Sequence, residues 1–142
     1  MRVEEVRDAA ELPGALGRVA RDVEAFWALP DTGLWTPGNR DAFVRLARDR
    51  GAPCLGPDEG FVELGALMSV RPPHDLLGAR LAEIARSILY EGAAAESVPI
   101  VPAGRVAGVL NLATAEALGL KLSEEVLQGA ARLVGGTQPA AP

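Results

Sequence analysis

With 142 residues, 49% of them hydrophobic and 23% charged, the chain has the balance of one soluble globular domain. A formal net charge of −5 and a single lysine, Lys121, exclude the concentrated basic face that nucleic acid or an anionic membrane surface demands. One cysteine, Cys54, and one histidine, His74, exclude an intrachain disulfide and a Cys/His zinc cluster within one chain.

Aromatic residues make up only 4%, so the core must come from Leu, Val, Ile and Ala, which suits helices packed on a sheet. The opening "RVEEV" reads as a weak edge strand. In "RDAAELPGALGRVARDV" the apolar positions Leu12, Leu16, Val19 and Val23 recur at helical spacing. Asp8 followed by Glu11 makes a capping-box pattern that places the helix start near Ala9. "EAFWALP" is a buried strand over Ala25–Leu29, ended by Pro30, and the turn-rich "PDTGLWTPGN" follows. Thr36 and Pro37 are the N-cap and first residue of a helix that places Phe43, Leu46 and Ala47 on one side and stops at Gly51. "APCLG" is the next short strand and "GPDEG" a loop; "FVELG" is a helical turn and "ALMSV" a further strand.

"RPPHDLLGARLAEIARSILYEG" carries a long helix with a stripe of Leu77, Leu81, Ile84, Ala85 and Ile88, stopped at Gly92. "AAAESVPIVPAGR" is a connector with one extended segment around Pro99–Val101. Val106–Leu110 reads as a buried strand, and Asn111 caps a helix through Leu118 that Gly119 ends. Ser123 starts a last helix, with Glu124 and Glu125 at its positive end and Val126, Leu127, Ala130, Leu133 and Val134 on its apolar face. Residues 135–142, "GGTQPAAP", read as a disordered tail. Strands alternating with helices predict a three-layer α/β fold: a parallel sheet of about four or five strands flanked by helices on right-handed crossovers.

No run approaches the ~18 apolar residues of a membrane span, so membrane insertion is not expected. Arg2, Glu4 and Glu5 stand where a signal peptide needs its apolar stretch, so no leader is read here. Cys54 lies in an apolar run, where a buried structural thiol is favoured over a reactive one. His74 opens a helix after "RPP", where capping or surface chemistry is favoured over catalysis. The glycines form neither nucleotide-cradling pattern, and no nucleophile elbow surrounds a serine. The chain is read as a non-enzyme without catalytic residues, cofactor or metal, with a small enzyme using Cys54 or His74 as a minor alternative.

Ligands of parallel α/β sheets gather beyond the carboxyl ends of the strands, here the loops "PDTGLW" and "GPDEGF". Asp58 and Glu59 could bind a cation or share a proton, against the plain reading of two solvated acids. Trp35 could stack on a planar ligand or simply cover its loop, and Trp27 fits the core or an interface.

Three segments in order carry a family resemblance. "AAELPGALGRVARDVEAFWALPD", "RGAPCLGPDEGFVELGALMSV" and "VLNLATAEALGLKLSEEVLQGA" resemble the C-terminal part of tryptophan-type substrate-binding proteins of ABC transporters, bilobed type I periplasmic-binding-protein-like receptors. The last is similar to that family's closing Asn-Leu-x-Thr-Ala, x-x-Leu-Gly and final-helix pattern. The resemblance implies that residues 1–134 form one lobe, and that the helix within 71–92 packs on the other lobe of a full receptor. It places Asp31 and Thr32 on the family's Asp-containing ligand loop, where the carboxylate would take an amino acid's ammonium group and Thr32 or backbone N–H groups its carboxylate. "PPHDLLG" departs from the family by lacking tyrosines.

The implied function is non-catalytic capture of a small solute such as an amino acid, for delivery to an ABC permease in the periplasm or outside the cell. A full receptor is considerably longer, so this chain alone is an incomplete binder. An orphaned apolar helix stripe predicts a homodimer, reached by exchange of that helix. The alternative is a dimerisation or regulatory module derived from such a lobe, cytoplasmic if the chain is natively this length.

Overall fold

The computed structural model describes residues 4–100 and 106–136. Among them, helix α1 spans Leu12–Val19. The Asp8–Glu11 pair acts one turn earlier than a helix cap. Asp8 Oδ1 accepts hydrogen bonds from the amides of Ala10 (2.8 Å) and Glu11 (3.2 Å), and Glu11 Oε2 accepts one from Arg7 (3.0 Å). The result is a turn, and the regular helix starts only where Pro13 finds the first-turn position that needs no N–H. Residues 4–6 form no strand; the first residues of that expected element lie outside the described ones.

The next element, β1, is shorter than expected, Phe26–Trp27. Helix α2, Pro37–Asp49, begins as the sequence predicts: the Thr36 hydroxyl accepts from the Asn39 amide at 3.3 Å, with Pro37 in the first turn. Gly51 ends it with φ +61°, a left-handed turn that a side chain would strain. Then come β2 (Cys54–Gly56), α3 (Glu59–Glu63) and β3 (Met68–Arg71). Helix α4 runs from His74 to Tyr90, followed by a 3₁₀ turn at Ala95–Ser97. Pro99 and Ile100 take no regular structure, and Val101 lies outside the described residues. Strand β4 is Ala107–Asn111 and α5 is Leu112–Ala117.

The last helix is a correction. Helix α6 covers only Glu124–Gly129, capped by the Ser123 hydroxyl, and Ala130–Val134 is a strand, β5. Ala130, Leu133 and Val134 therefore belong to the sheet. Gly129 is a poor helix former, and the free backbone edge of β4 offers the following residues a ladder. The parallel pairing of Val109, Leu110 and Asn111 with Arg132, Leu133 and Val134 takes that offer, with a bulge at Gly108/Val109.

The five strands form one sheet in the order β1-β2-β3-β4-β5, with β1 parallel to β2, β2 parallel to β3 and β4 parallel to β5. This is the α/β class expected, at the upper end of the expected strand count. Register sorts the first three strands into two faces. Phe26 pairs with Cys54, and Gly56 with Ser69, and all four are buried. This face lies against α2 and α3, where Phe43, Val44, Ala47 and Phe61 complete the core with Leu16 of α1 beside it. Phe26, Phe43, Phe61 and Trp35 meet edge to face at centroid distances of 5.2–6.1 Å, concentrating the few aromatics in one cluster. The opposite face carries Trp27, Leu55, Met68 and Val70. Trp27 is 73% exposed, so of its two expected roles the core one falls away.

The described residues divide into two compact units, one up to Val70 and from Gly108 onward, the other Arg71–Ala107. The second unit holds α4, none of whose seventeen residues is buried.

Candidate functional site

Because β1 and β2 are parallel neighbours, the loops that leave their carboxyl ends start side by side. The loop after β1 holds Asp31, Thr32 and Trp35; the loop after β2 ends on Asp58, and Glu59 is the first residue of α3. Each of the five has a distinct setting.

Asp31 shapes its own loop. Its Oδ1 accepts from the amides of Gly33 and Leu34, both at 2.8 Å, an Asx turn. Its charge is otherwise unspent: among the described residues no cation pairs with it. Thr32 is exposed beside it. Trp35 is held in place, donating Nε1–H to the Leu29 carbonyl at 2.7 Å and packing on Phe43 and Phe61.

Asp58 caps α3 by accepting from the Phe61 amide at 3.3 Å, and its other oxygen meets Arg40 at 3.5 Å. Arg40 links the two loops. Its Nε donates to the Trp35 carbonyl at 3.2 Å, and its guanidinium lies 5.2 Å from the centre of the Phe61 ring. Glu59 is engaged by Arg132 of β5 at 2.8 Å, and the same guanidinium reaches Glu63 at 3.2 Å. These two carboxylates raise the Arg132 pKa above its ordinary value and keep it charged.

Arg40 and Arg132 were not singled out from the sequence. Arg40 stands one turn into α2 like any solvated helix residue, and Arg132 lies 73 residues from Glu59. Only the sheet order brings either pair together. The three acids thus separate: Asp58 and Glu59 are paired with arginines, and Asp31 has no cation beside it among the described residues.

Two other features bear on the site. A cleft of about 490 Å³ between α2 and α5 is lined by Arg48, Glu63, Thr114, Ala117 and Val134 among others, and none of the five expected residues borders it. Cys54 is buried, and burial pushes its thiol up to about 11, which removes the thiolate that nucleophilic or metal chemistry would use. Among the described residues no three His, Cys, Asp or Glu side chains are grouped to hold a metal ion, and no helix is long and apolar enough to cross a membrane.

The profile of a family described as ABC transporter substrate binding protein matches residues 2–134. The chain belongs to that family. Solved structures with the same fold agree. A conserved domain protein from Vibrio cholerae O1 biovar El Tor is 25% identical, with a TM-score of 0.67 over 90% of this chain and 42% of its own. An ABC domain from Streptococcus pneumoniae in complex with L-Trp is 22% identical, with a TM-score of 0.70 over 94% of this chain and 44% of its own. CD0873 from Clostridium difficile, a substrate binding protein with adhesive properties, is 18% identical, with a TM-score of 0.67 over 94% and 44%. No curated protein matches. This family member spans less than half the length of those solved chains. The family is one of solute-binding proteins, which agrees with the absence of a catalytic constellation in the sequence.

Proposed function

We propose that the lobe formed by residues 1–134 captures a small solute of the amino-acid class at the loops beyond β1 and β2. The single observation that carries this reading is the Asp31 carboxylate, an anion with no cation paired to it among the described residues, at the carboxyl end of a parallel strand. An ammonium group supplies the missing charge. Thr32 and nearby backbone N–H groups take the ligand's carboxylate, and Trp35 walls the ligand. Asp58 and Glu59, already matched by Arg40 and Arg132, act at the rim. One lobe buries only one side of a ligand, so affinity is weak for this chain alone. In a full receptor the helix within 71–92 packs on the other lobe, and the ligand passes to an ABC permease from a periplasmic or extracellular compartment.

Amide chemical-shift titration of the chain with millimolar L-tryptophan, and with acidic and aliphatic amino acids, tests this. The expected result is saturable shifts confined to residues 31–36 and 57–60. They should be lost in Asp31→Asn, which keeps the turn acceptor and removes the charge. Shifts elsewhere, or shifts indifferent to Asp31→Asn, overturn the reading.

A second reading, a module that dimerises, is favoured by α4. Its stripe of Leu77, Leu81, Ile84 and Ile88 contains no buried residue. Such a stripe is unfavourable in water, so a second copy covers it.

A further inference from the structure

Arg40 occupies the seam between the loops that leave β1 and β2, and its surroundings fix it there. Its Nε–H donates to the Trp35 carbonyl of the first loop at 3.2 Å, and its guanidinium lies 5.2 Å from the centre of the buried Phe61 ring. Its Nη1 faces Asp58 Oδ2 at 3.5 Å, the oxygen not used to cap α3. Gly60 makes room for the pair. A Cβ there would lie 3.1 Å from Asp58 Oδ1 and 3.3 Å from Arg40 Nη1. The two side chains are 35% and 42% exposed, so the pair borders solvent with its charges already matched. The loops start from neighbouring strands about 4.8 Å apart, well inside the ~10 Å over which charges act at 0.1 M salt.

We propose that Arg40 sets the solute class of this edge: by cancelling Asp58 it leaves Asp31 as the unmatched carboxylate of the two loops among the described residues, so the lobe takes amino acids with an uncharged side chain. The inference rests on the Asp31 reading above and deepens it. Arg40 acts through Asp58 and is a positioning residue, not a ligand contact. Loss of its guanidinium returns a second negative charge to the edge and favours solutes with a second ammonium group. Loss of the Asp58 charge leaves the guanidinium unmatched and favours acidic solutes. A residue that only held the loops together would weaken every solute alike.

Amide-shift titrations of the intact chain at low salt test this, comparing L-lysine with L-norleucine and L-glutamate with L-glutamine. The parent's lysine-to-norleucine affinity ratio is expected near unity. Relative to the parent, Arg40→Gln should raise that ratio roughly fivefold, the weight of one half-exposed ion pair. Asp58→Asn, which keeps the cap acceptor for the Phe61 amide, should raise the glutamate-to-glutamine ratio by a similar factor. Arg40→Gln/Asp58→Asn should return both ratios to the parent's. Should Arg40→Gln lose its fold by circular dichroism, the Asp58→Asn ratio decides. A folded single variant with unchanged ratios, or a change that persists in the double variant, overturns the role of Arg40 and leaves Asp31 as the anchor. A parent whose shifts survive Asp31→Asn, or that shows none, overturns the solute reading and this inference together.

Discussion

The side-chain amide of Asn111 donates to the carbonyl of Val62 at 2.9 Å, joining the end of β4 to a helix 49 residues earlier. The same side chain caps α5, its Oδ1 accepting from the Thr114 amide at 3.0 Å, and the Thr114 hydroxyl donates to the Gly65 carbonyl at 3.0 Å. The Asn-Leu-x-Thr-Ala stretch is therefore a clip that fixes α5 to the α3–β3 turn.

Asn111 is buried, so its loss leaves the Val62 carbonyl without its donor and α5 without its cap. Asn111→Ala is expected to cost about 2–3 kcal/mol in urea unfolding. Asn111→Asp keeps the cap acceptor but sets a carboxylate against the Val62 carbonyl, so it should not rescue. A stability of the Asp variant equal to the parent's would refute the clip.

Gly56 ends β2 where a Cβ would lie 2.2 Å from the Cβ of Phe61, the fully buried ring at the centre of the aromatic cluster. Phe61 is held by three neighbouring groups, Trp35, Phe43 and Arg40, and has no free direction. Gly56→Ala should destabilise by about 2–3 kcal/mol despite adding one methyl group. Phe61→Leu keeps the Cβ and Cγ that the added methyl group would meet, so it should not rescue. A Gly56→Ala loss below about 0.5 kcal/mol in urea unfolding would show that the two positions do not meet.

Several local signals were legible from single residues. Thr36-Pro37, Asn111 and Ser123 begin helices through cap chemistry readable from residue type, whereas the Asp58 cap was not read and the Asp8–Glu11 pattern forms a turn. Boundaries set by tertiary competition were not. Ala130–Val134 fits a helical stripe as well as a strand, and the open edge of β4 decides between them. In the site, the loops could be located from strand order alone, yet which acids keep a free charge depends on Arg40 and Arg132. Those partners arrive from α2 and β5, and no spacing in the sequence announces them.

Trp35 separates binding from folding. Trp35→Phe keeps a ring against Phe43 and Phe61 but removes the Nε1–H bond to Leu29. A loss of about 1 kcal/mol in stability is expected, the typical value of one hydrogen bond. Trp35→Ala should cost about 3–4 kcal/mol through lost packing. Losses within 0.5 kcal/mol for both, measured by chemical denaturation, would place the ring outside the core.

Cys54 predicts a pH dependence of known sign. Burial raises its thiol from 9.0 to about 11 in the folded chain, so the folded state holds the proton more tightly than the unfolded one. The corresponding stabilisation is complete below the unfolded value near 9 and is lost as pH climbs through 11. The loss approaches about 3 kcal/mol at 1.36 kcal/mol per unit. Cys54→Ala, which cannot ionise, should lack this slope. Parallel stability curves for parent and variant between pH 8 and 11 would show that the thiol is not shielded. The same shielding predicts that a thiol reagent at pH 8 labels Cys54 only after denaturant is added.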